Sequence, residues 1–223
     1  MTKELLRQAV VKLAAGILLM AALLFLPAGA LQWPEGRRLM IVLFVPMVLA
    51  GFVMMRFAPE LLRRRLNAKE EQTEQKGVIL GSGVMFIAGF VLAGLGVRFH
   101  WHMMPAWASM LGTVTFLLAY AMFGEVLREN EYLSRTVAVQ EGQKVVDTGL
   151  YGIVRHPMYS ATVILFLSMP LILRSLPCLL VFCVYPLLLV RRIRNEEEVL
   201  ERGLAGYTDY KKRVRYRLIP FVW

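Results

Sequence analysis

The sequence predicts an all-α, polytopic integral membrane protein with about five hydrophobic regions, the last of them a helical hairpin. Three observations carry this. Hydrophobic residues make up 57% of the 223 residues, against about 45–50% in soluble domains even with glycine counted. Mean hydropathy is positive, at +0.55. Apolar runs close to the roughly 20 residues needed to cross a hydrocarbon core recur along the chain.

The first run, Leu13–Leu31, follows a basic N-terminal stretch with Lys3, Arg7 and Lys12. No small-residue cleavage site follows it, so it reads as a retained span and not a removed signal peptide. Leu39–Phe57, Val78–Val97 and Ala106–Leu127 are the next three. Tyr159–Val190 is too long for one span and is broken by Pro170 and by the sequence RSLP, Arg174 to Pro177. Proline interrupts a helix by removing an N–H and crowding the preceding turn, so this region reads as two arms joined by a turn. The sequence leaves open whether the hairpin crosses fully or re-enters.

Orientation follows from the basic residues, which concentrate on the cytoplasmic side of membrane proteins. With the N-terminus cytoplasmic, only Arg37, Arg38, Arg98 and Arg174 of the 26 Lys and Arg fall on the far side. Both termini and the 128–158 stretch are then cytoplasmic, as in a multi-pass protein of a bacterial inner membrane. The net charge of +10 tracks this topology and does not form one soluble basic face, which argues against a nucleic-acid partner. Residues 1–130 are expected to form a helical membrane part. Residues 131–223 are expected to form the cofactor-binding and catalytic part, hairpin 159–190 included.

The remaining features have plain readings. Residues 63–76 form a mixed-charge loop, either a solvated connector or a contact for anionic headgroups. Trp33, His100, Trp101, His102 and Trp107 fit an interfacial belt at the far-side ends, with a ligand role for His100 and His102 as the weaker alternative. Cys178 and Cys183 read as small apolar fillers. No Cys/His spacing supports a metal site.

Chemistry concentrates in three stretches: VQEGQKVVDTGLYGIVRHPMY (139–159), RRIRNEEEVL (191–200) and GYTDYKKRVRYRLIP (206–220). Gly149 and Gly152 permit turns or close approach of the backbone, and Pro157 suits a helix's first turn. Arg155 and His156 then stand just before a helix N-terminus, where N–H groups favour an anion; equally, Arg155 could snorkel and His156 could end a helix. Arg192 and Glu196, four apart, share a helix face. They could form a surface ion pair worth only about 0.3–0.5 kcal/mol, or hold the charged ends of a ligand. The first two stretches bracket one hairpin and together suit a zwitterion with an amino-acid end, such as S-adenosylmethionine, whose sulfonium tolerates aromatic faces.

The order GLYGIVRHPMYS, apolar hairpin, RRIRNEEEVL, YTDYKKRVRYRLIP resembles the isoprenylcysteine carboxyl methyltransferase family and its bacterial and phospholipid methyltransferase relatives, over about residues 137–220. The resemblance implies an S-adenosylmethionine pocket lined by Gln140, Gln143, Val145, Val146, Tyr151, His156 and Tyr159, with Glu196 on the cofactor's amino group. Arg155 would support the pocket or the cofactor carboxylate. Arg192 would face the substrate's acidic group, and Glu197 would be a second catalytic carboxylate. The sequence departs from the family at Ala161, where glycine is common, at Gln143, where eukaryotic members carry histidine, and in a shortened LAGY segment before Tyr207.

The implied activity is methyl transfer at the cytoplasmic membrane face to a lipophilic acceptor arriving from the bilayer. O-methylation of an isoprenylcysteine-like carboxylate is favoured, and N-methylation of a phospholipid or other lipid amine is the alternative. A carboxylate nucleophile needs no general base, and most of the catalytic work is alignment and exclusion of water. Two other classes are weighed. An NADPH-dependent enzyme like the membrane sterol reductases would share the cytoplasmic end. A scaffold or transporter would carry ionisable residues within its spans, which the first four segments almost lack.

Overall fold

The structure, a computed structural model, describes residues 3–66, 73–101, 103–133 and 139–223. It is built of helices: α1 (Lys3–Ala28), α2 (Pro34–Phe57), α3 (Pro59–Leu66), α4 (Thr73–Arg98), α5 (Ala106–Glu129), α6 (Pro157–Ile172), α7 (Leu176–Phe182), α8 (Tyr185–Gly203) and α9 (Tyr207–Arg213). Among the described residues, five segments are long and apolar enough to cross a membrane: α1, α2, Lys76–Arg98 of α4, α5, and Leu176–Gly203 across α7 and α8. The shorter apolar α6 makes the other arm of the hairpin. Helices suit this setting because they satisfy their own backbone hydrogen bonds away from water.

α1 starts ten residues before the apolar run, and Lys12 Nζ donates to the carbonyl of Leu66 at the end of α3. It closes at Gly29, whose φ of +65° ends the helix and lets its N–H reach the carbonyls of Phe25 and Leu26. The loop expected at 63–76 is partly helical: α3 buries Leu61 and Leu62 while Arg63 to Arg65 line its last turn. Residues 67–72 of that expectation lie outside the described residues.

Membrane helices associate through close packing and interhelical hydrogen bonds, because lipid tails are as apolar as the helices themselves. α5 presents Ala108, Ser109, Gly112 and Ala119 as buried positions. A Cβ on Gly112 would stand 2.7 Å from the Ile172 backbone nitrogen and 2.9 Å from the Ser168 carbonyl oxygen, so glycine permits the close approach of α5 and α6. Ser109 Oγ donates to the Ile172 carbonyl at 2.8 Å, and Thr115 meets Ser168 at 2.7 Å. One buried cluster joins Leu24, Phe90 and Phe116 from the N-terminal helices to Tyr159, Phe182 and Leu189 from the hairpin.

The hairpin reaches the far end of the bundle. At the turn between α6 and α7, Arg174 Nε donates to the Met104 carbonyl at 2.7 Å, and the Met104 N–H donates to the Arg174 carbonyl at 2.9 Å. Arg174 also pairs with Glu35 in the first turn of α2 at 3.2 Å. The turn therefore lies beside the α4–α5 connection and the α2 N-terminus, and the region spans the bundle without stopping partway. The other end gathers α3, the 139–156 segment, the end of α8 and α9.

The expected aromatic belt divides. Trp101 and Trp107 are exposed, but Trp33 is buried edge-on against Phe25, 6.3 Å between centroids. His100 sits at the end of α4 with φ +52°, and His102 lies outside the described residues. Cys178 is buried in the core, whereas Cys183 faces outward.

Candidate active site

The site is built where the start of α6, the end of α8 and the chain after α9 converge. The 3₁₀ turn Gly149–Gly152 folds the preceding loop back onto α5. Gly149, at φ +56°, passes so near Glu129 that a Cβ would stand 3.1 Å from its Cγ, and Thr148 donates to the Glu129 carboxylate. α6 opens at Pro157 with His156 at its N-cap. Residues 214–217 then run alongside: the Arg155 N–H donates to the Tyr216 carbonyl and the His156 N–H to the Arg217 carbonyl, each at 2.9 Å.

Arg155 is a staple between α8 and this tail. Its Nε donates to Glu197 Oε1 at 2.8 Å, and its Nη1 donates to the carbonyls of Val214 and Arg215 at 2.7 and 2.8 Å. His156 Nε2 stands 3.3 Å from the same Glu197 oxygen, and Arg217 Nε donates to Glu197 Oε2 at 3.0 Å. Glu197 is 3% exposed. A buried carboxylate persists only when its charge is balanced and its lone pairs are used; here two guanidiniums and an imidazole meet that demand.

A cavity opens beside this staple, lined among others by Gln143, Val145, Val146, Tyr151, Arg155, His156, Tyr159, Arg192 and Glu196. The structure thus brings nine of the residues singled out in the sequence to one wall system. On it the Tyr159 hydroxyl donates to Glu196 Oε2 at 2.5 Å and accepts from Arg192 Nε at 2.8 Å. The His156 ring stacks on Tyr159 at 5.7 Å, and the Arg192 guanidinium lies 5.8 Å from the Tyr159 ring centre. Tyr151 is fixed at both ends: its hydroxyl accepts from Asn130 Nδ2 at 2.9 Å and its carbonyl accepts from the Tyr210 hydroxyl at 2.8 Å. Burial pushes the Tyr151 phenol up to about 12, so it stays neutral.

Two expected residues are placed differently. Gln140 is not on the cavity wall; its N–H donates to Gln143 Oε1 at 2.8 Å and its side chain donates to the Tyr132 carbonyl, so it shapes the loop that carries Gln143. Glu197 turns away from the cavity into the staple. A carboxylate held by Arg155, His156 and Arg217 has its lone pairs engaged by those partners and is poorly disposed to accept a proton from substrate.

Residue-by-residue reading missed Val199, Leu200, Leu204, Tyr207 and Tyr210 on the wall. Val199 and Leu200 follow Glu196 by three and four positions and so continue its helix face, a signal present in the sequence. Tyr207 and Tyr210 are the tyrosines of the YTDY segment, presented by α9 after Gly206 at φ +83°. A cavity with one carboxylate and one guanidinium bridged by a phenol, flanked by aromatic faces and valines, suits a ligand that has both an apolar body and separate charged ends.

Comparison with known proteins finds similarity in sequence segment and in fold. Residues 110–202 match the family model of isoprenylcysteine carboxyl methyltransferase, beginning within α5 and stopping before the tail that the sequence resemblance included. A curated relative, Delta(14)-sterol reductase TM7SF2 of Mus musculus, is 33% identical over 91 residues, 40% of this chain. The chain spans 22% of that relative's length. Among solved structures, the eukaryotic intramembrane Ras methyltransferase ICMT, determined without a monobody, shares the fold at a TM-score of 0.58 and 18% identity, covering 96% of this chain and 77% of that one. The matched family segment holds the start of α6, the hairpin and Arg192 to Glu197, and the fold is shared with the solved structure along nearly the whole chain.

Proposed function

We propose that this protein is an S-adenosylmethionine-dependent membrane methyltransferase acting at the cytoplasmic face on a lipophilic acceptor, with an isoprenylcysteine-like carboxylate as the favoured methyl acceptor. One observation carries the reading: the Tyr159 hydroxyl bridges Glu196 and Arg192 on a single cavity wall at the membrane boundary.

The residues present fit the cofactor. Glu196 offers a carboxylate for its ammonium, Tyr151, Tyr159 and His156 offer aromatic faces for the sulfonium, and Val145, Val146 and Leu200 offer apolar surface for the nucleoside. When bound, S-adenosylmethionine supplies an activated methyl group. The chain's own part is then positional. Arg192 orients the acceptor's carboxylate, and the Tyr159 hydroxyl keeps Arg192 and Glu196 at fixed separation. The Arg155–Glu197–Arg217 staple holds the walls, and the buried tyrosines exclude water. Holding two reactants in line is worth several powers of ten in rate. No carboxylate need accept a proton if the acceptor is itself a carboxylate; an amine acceptor would call on Glu196, the carboxylate on the wall.

The reductase relative supports a second reading, a nicotinamide-dependent membrane reductase. Calorimetry on the purified protein separates the two: S-adenosylhomocysteine binds and NADP does not. The reverse result favours the reductase reading. Membranes supplied with methyl-labelled S-adenosylmethionine then identify the acceptor, since label released from lipid by mild base is an ester and retained label is an amine product.

A further inference from the structure

Five tyrosines line the cavity: Tyr132, Tyr151, Tyr159, Tyr207 and Tyr210. The hydroxyls of four are paired. Tyr132 donates to the Gly142 carbonyl, Tyr151 accepts from Asn130, Tyr159 bridges Arg192 and Glu196, and Tyr210 donates to the Tyr151 carbonyl. Tyr207 is 4% exposed, and its hydroxyl is buried with no hydrogen-bond partner among the described residues. A buried hydroxyl left unpaired costs free energy, and such groups in native proteins have a reason.

The ring cannot turn its hydroxyl to water. Tyr207 belongs to a buried cluster with Leu204, Tyr210 and Val214, against which Val145 and Leu200 pack. The Tyr210 ring centre lies 5.8 Å away. Burial, with the charges of Glu197 and Glu196 in electrostatic reach, holds the phenol's proton firmly, so the group is a donor. An α-amino-acid end whose ammonium meets Glu196 carries a carboxylate on the same carbon, and that carboxylate needs a donor. Arg155 is already committed through Nε to Glu197 and through Nη1 to two carbonyls.

We propose that Tyr207 donates its hydroxyl hydrogen to the carboxylate at the amino-acid end of the sulfonium cofactor, beside Glu196, and so selects ligands that carry that carboxylate. The proposal rests on the cofactor reading above. It assigns the phenol a part in binding and none in the stability of the ligand-free protein.

The test uses the purified full-length protein and two ligands: S-adenosylhomocysteine and its decarboxylated analogue, which keeps the nucleoside, thioether and ammonium. Their affinities for the wild type and Tyr207→Phe are measured by competition against labelled S-adenosylmethionine, with thermal unfolding of the ligand-free proteins alongside. Tyr207→Phe should weaken S-adenosylhomocysteine by about ten- to a hundredfold, the worth of a hydrogen bond to a charged group. It should leave the decarboxylated analogue within about twofold and should not lower the melting temperature. Equal weakening of both ligands, no weakening of either, or a lowered melting temperature would each overturn the proposal. If the wild type binds no S-adenosylmethionine, the cofactor reading itself has failed, and the outcome is distinct from all of these.

Discussion

Arg155 and Glu197, 42 positions apart in the chain, meet as a buried ion pair with Nε 2.8 Å from Oε1 and both side chains 4% exposed. The pair joins the start of α6 to α8, and Arg217 on the other carboxylate oxygen ties in the tail. The charges of the RHP motif and the glutamate run are thus divided between two tasks. Glu197 holds the walls together, and its neighbour Glu196 faces the cavity.

Removing the charge at Glu197 should unfold the site before it affects chemistry. Glu197→Gln leaves the buried Arg155 and the partly exposed Arg217 without their counter-charge, and losing one partner of a buried pair costs about 3–5 kcal/mol. Glu198→Gln, at an exposed position, should change stability by no more than about 0.5 kcal/mol. Thermal unfolding in detergent measures both. An unaltered melting temperature for Glu197→Gln, with turnover lost, would restore Glu197 as a catalytic base.

Glu196 and Arg192 should separate cofactor from acceptor, although one phenol holds both. Glu196→Gln should weaken S-adenosylhomocysteine at least about tenfold, the scale of one charge-assisted hydrogen bond. Arg192→Lys should leave that affinity within about threefold yet cut turnover at least about tenfold, because a lysine does not reproduce the guanidinium fork. Calorimetry and initial rates on the same preparations check the pair. A common loss of cofactor binding in both variants would place Arg192 in the cofactor site.

The contact between α5 and α6 should be sensitive to a single methyl. Gly112→Ala pushes a Cβ against the α6 backbone at Ile172 and Ser168, and overpacking of this kind costs about 1–3 kcal/mol. Gly124→Ala on the same helix meets nothing within 4 Å and should be neutral or stabilising by up to about 1 kcal/mol, as expected for replacing glycine in a helix. Parallel melting curves of the two variants would show the ordering.

Sidedness can be tested with single cysteines in a Cys178→Ala, Cys183→Ala background. Leu31→Cys and Leu176→Cys lie at the far end and are exposed, whereas Asp209→Cys lies at an exposed position of α9 at the site end. A membrane-impermeant maleimide on intact cells should label the first two and reach the third only after lysis. Labelling of Leu31→Cys without Leu176→Cys would mean that the hairpin does not cross.

Much of this protein could be read along the chain. Apolar runs located the spans, since a bilayer core demands a fixed length of helix, although α1 begins ten residues ahead of its run. The RSLP turn divided the last region, whereas Pro170, also expected to break it, lies inside α6, and Arg155-His156-Pro157 located the start of that helix. These signals are local or periodic, and each is complete within one segment. α3 was missed because an eight-residue helix carrying three arginines is too short and too charged to display an apolar period.

Other features were decided only when distant segments met. The sequence offers Glu196 and Glu197 as adjacent, chemically identical carboxylates. Successive helix positions point about 100° apart, so only the position of α8 against Arg155, Arg217 and the cavity separates the two. Gln140 was drawn into the loop by Tyr132, and Tyr207 came to the wall because the chain folds back after Gly206. The depth of the hairpin likewise rests on Arg174 meeting Met104 and Glu35. Sequence fixes which residues enter water or lipid, because that choice depends on each segment's own composition. Which charge meets which partner depends on three-dimensional contact, and tertiary packing alone supplies it.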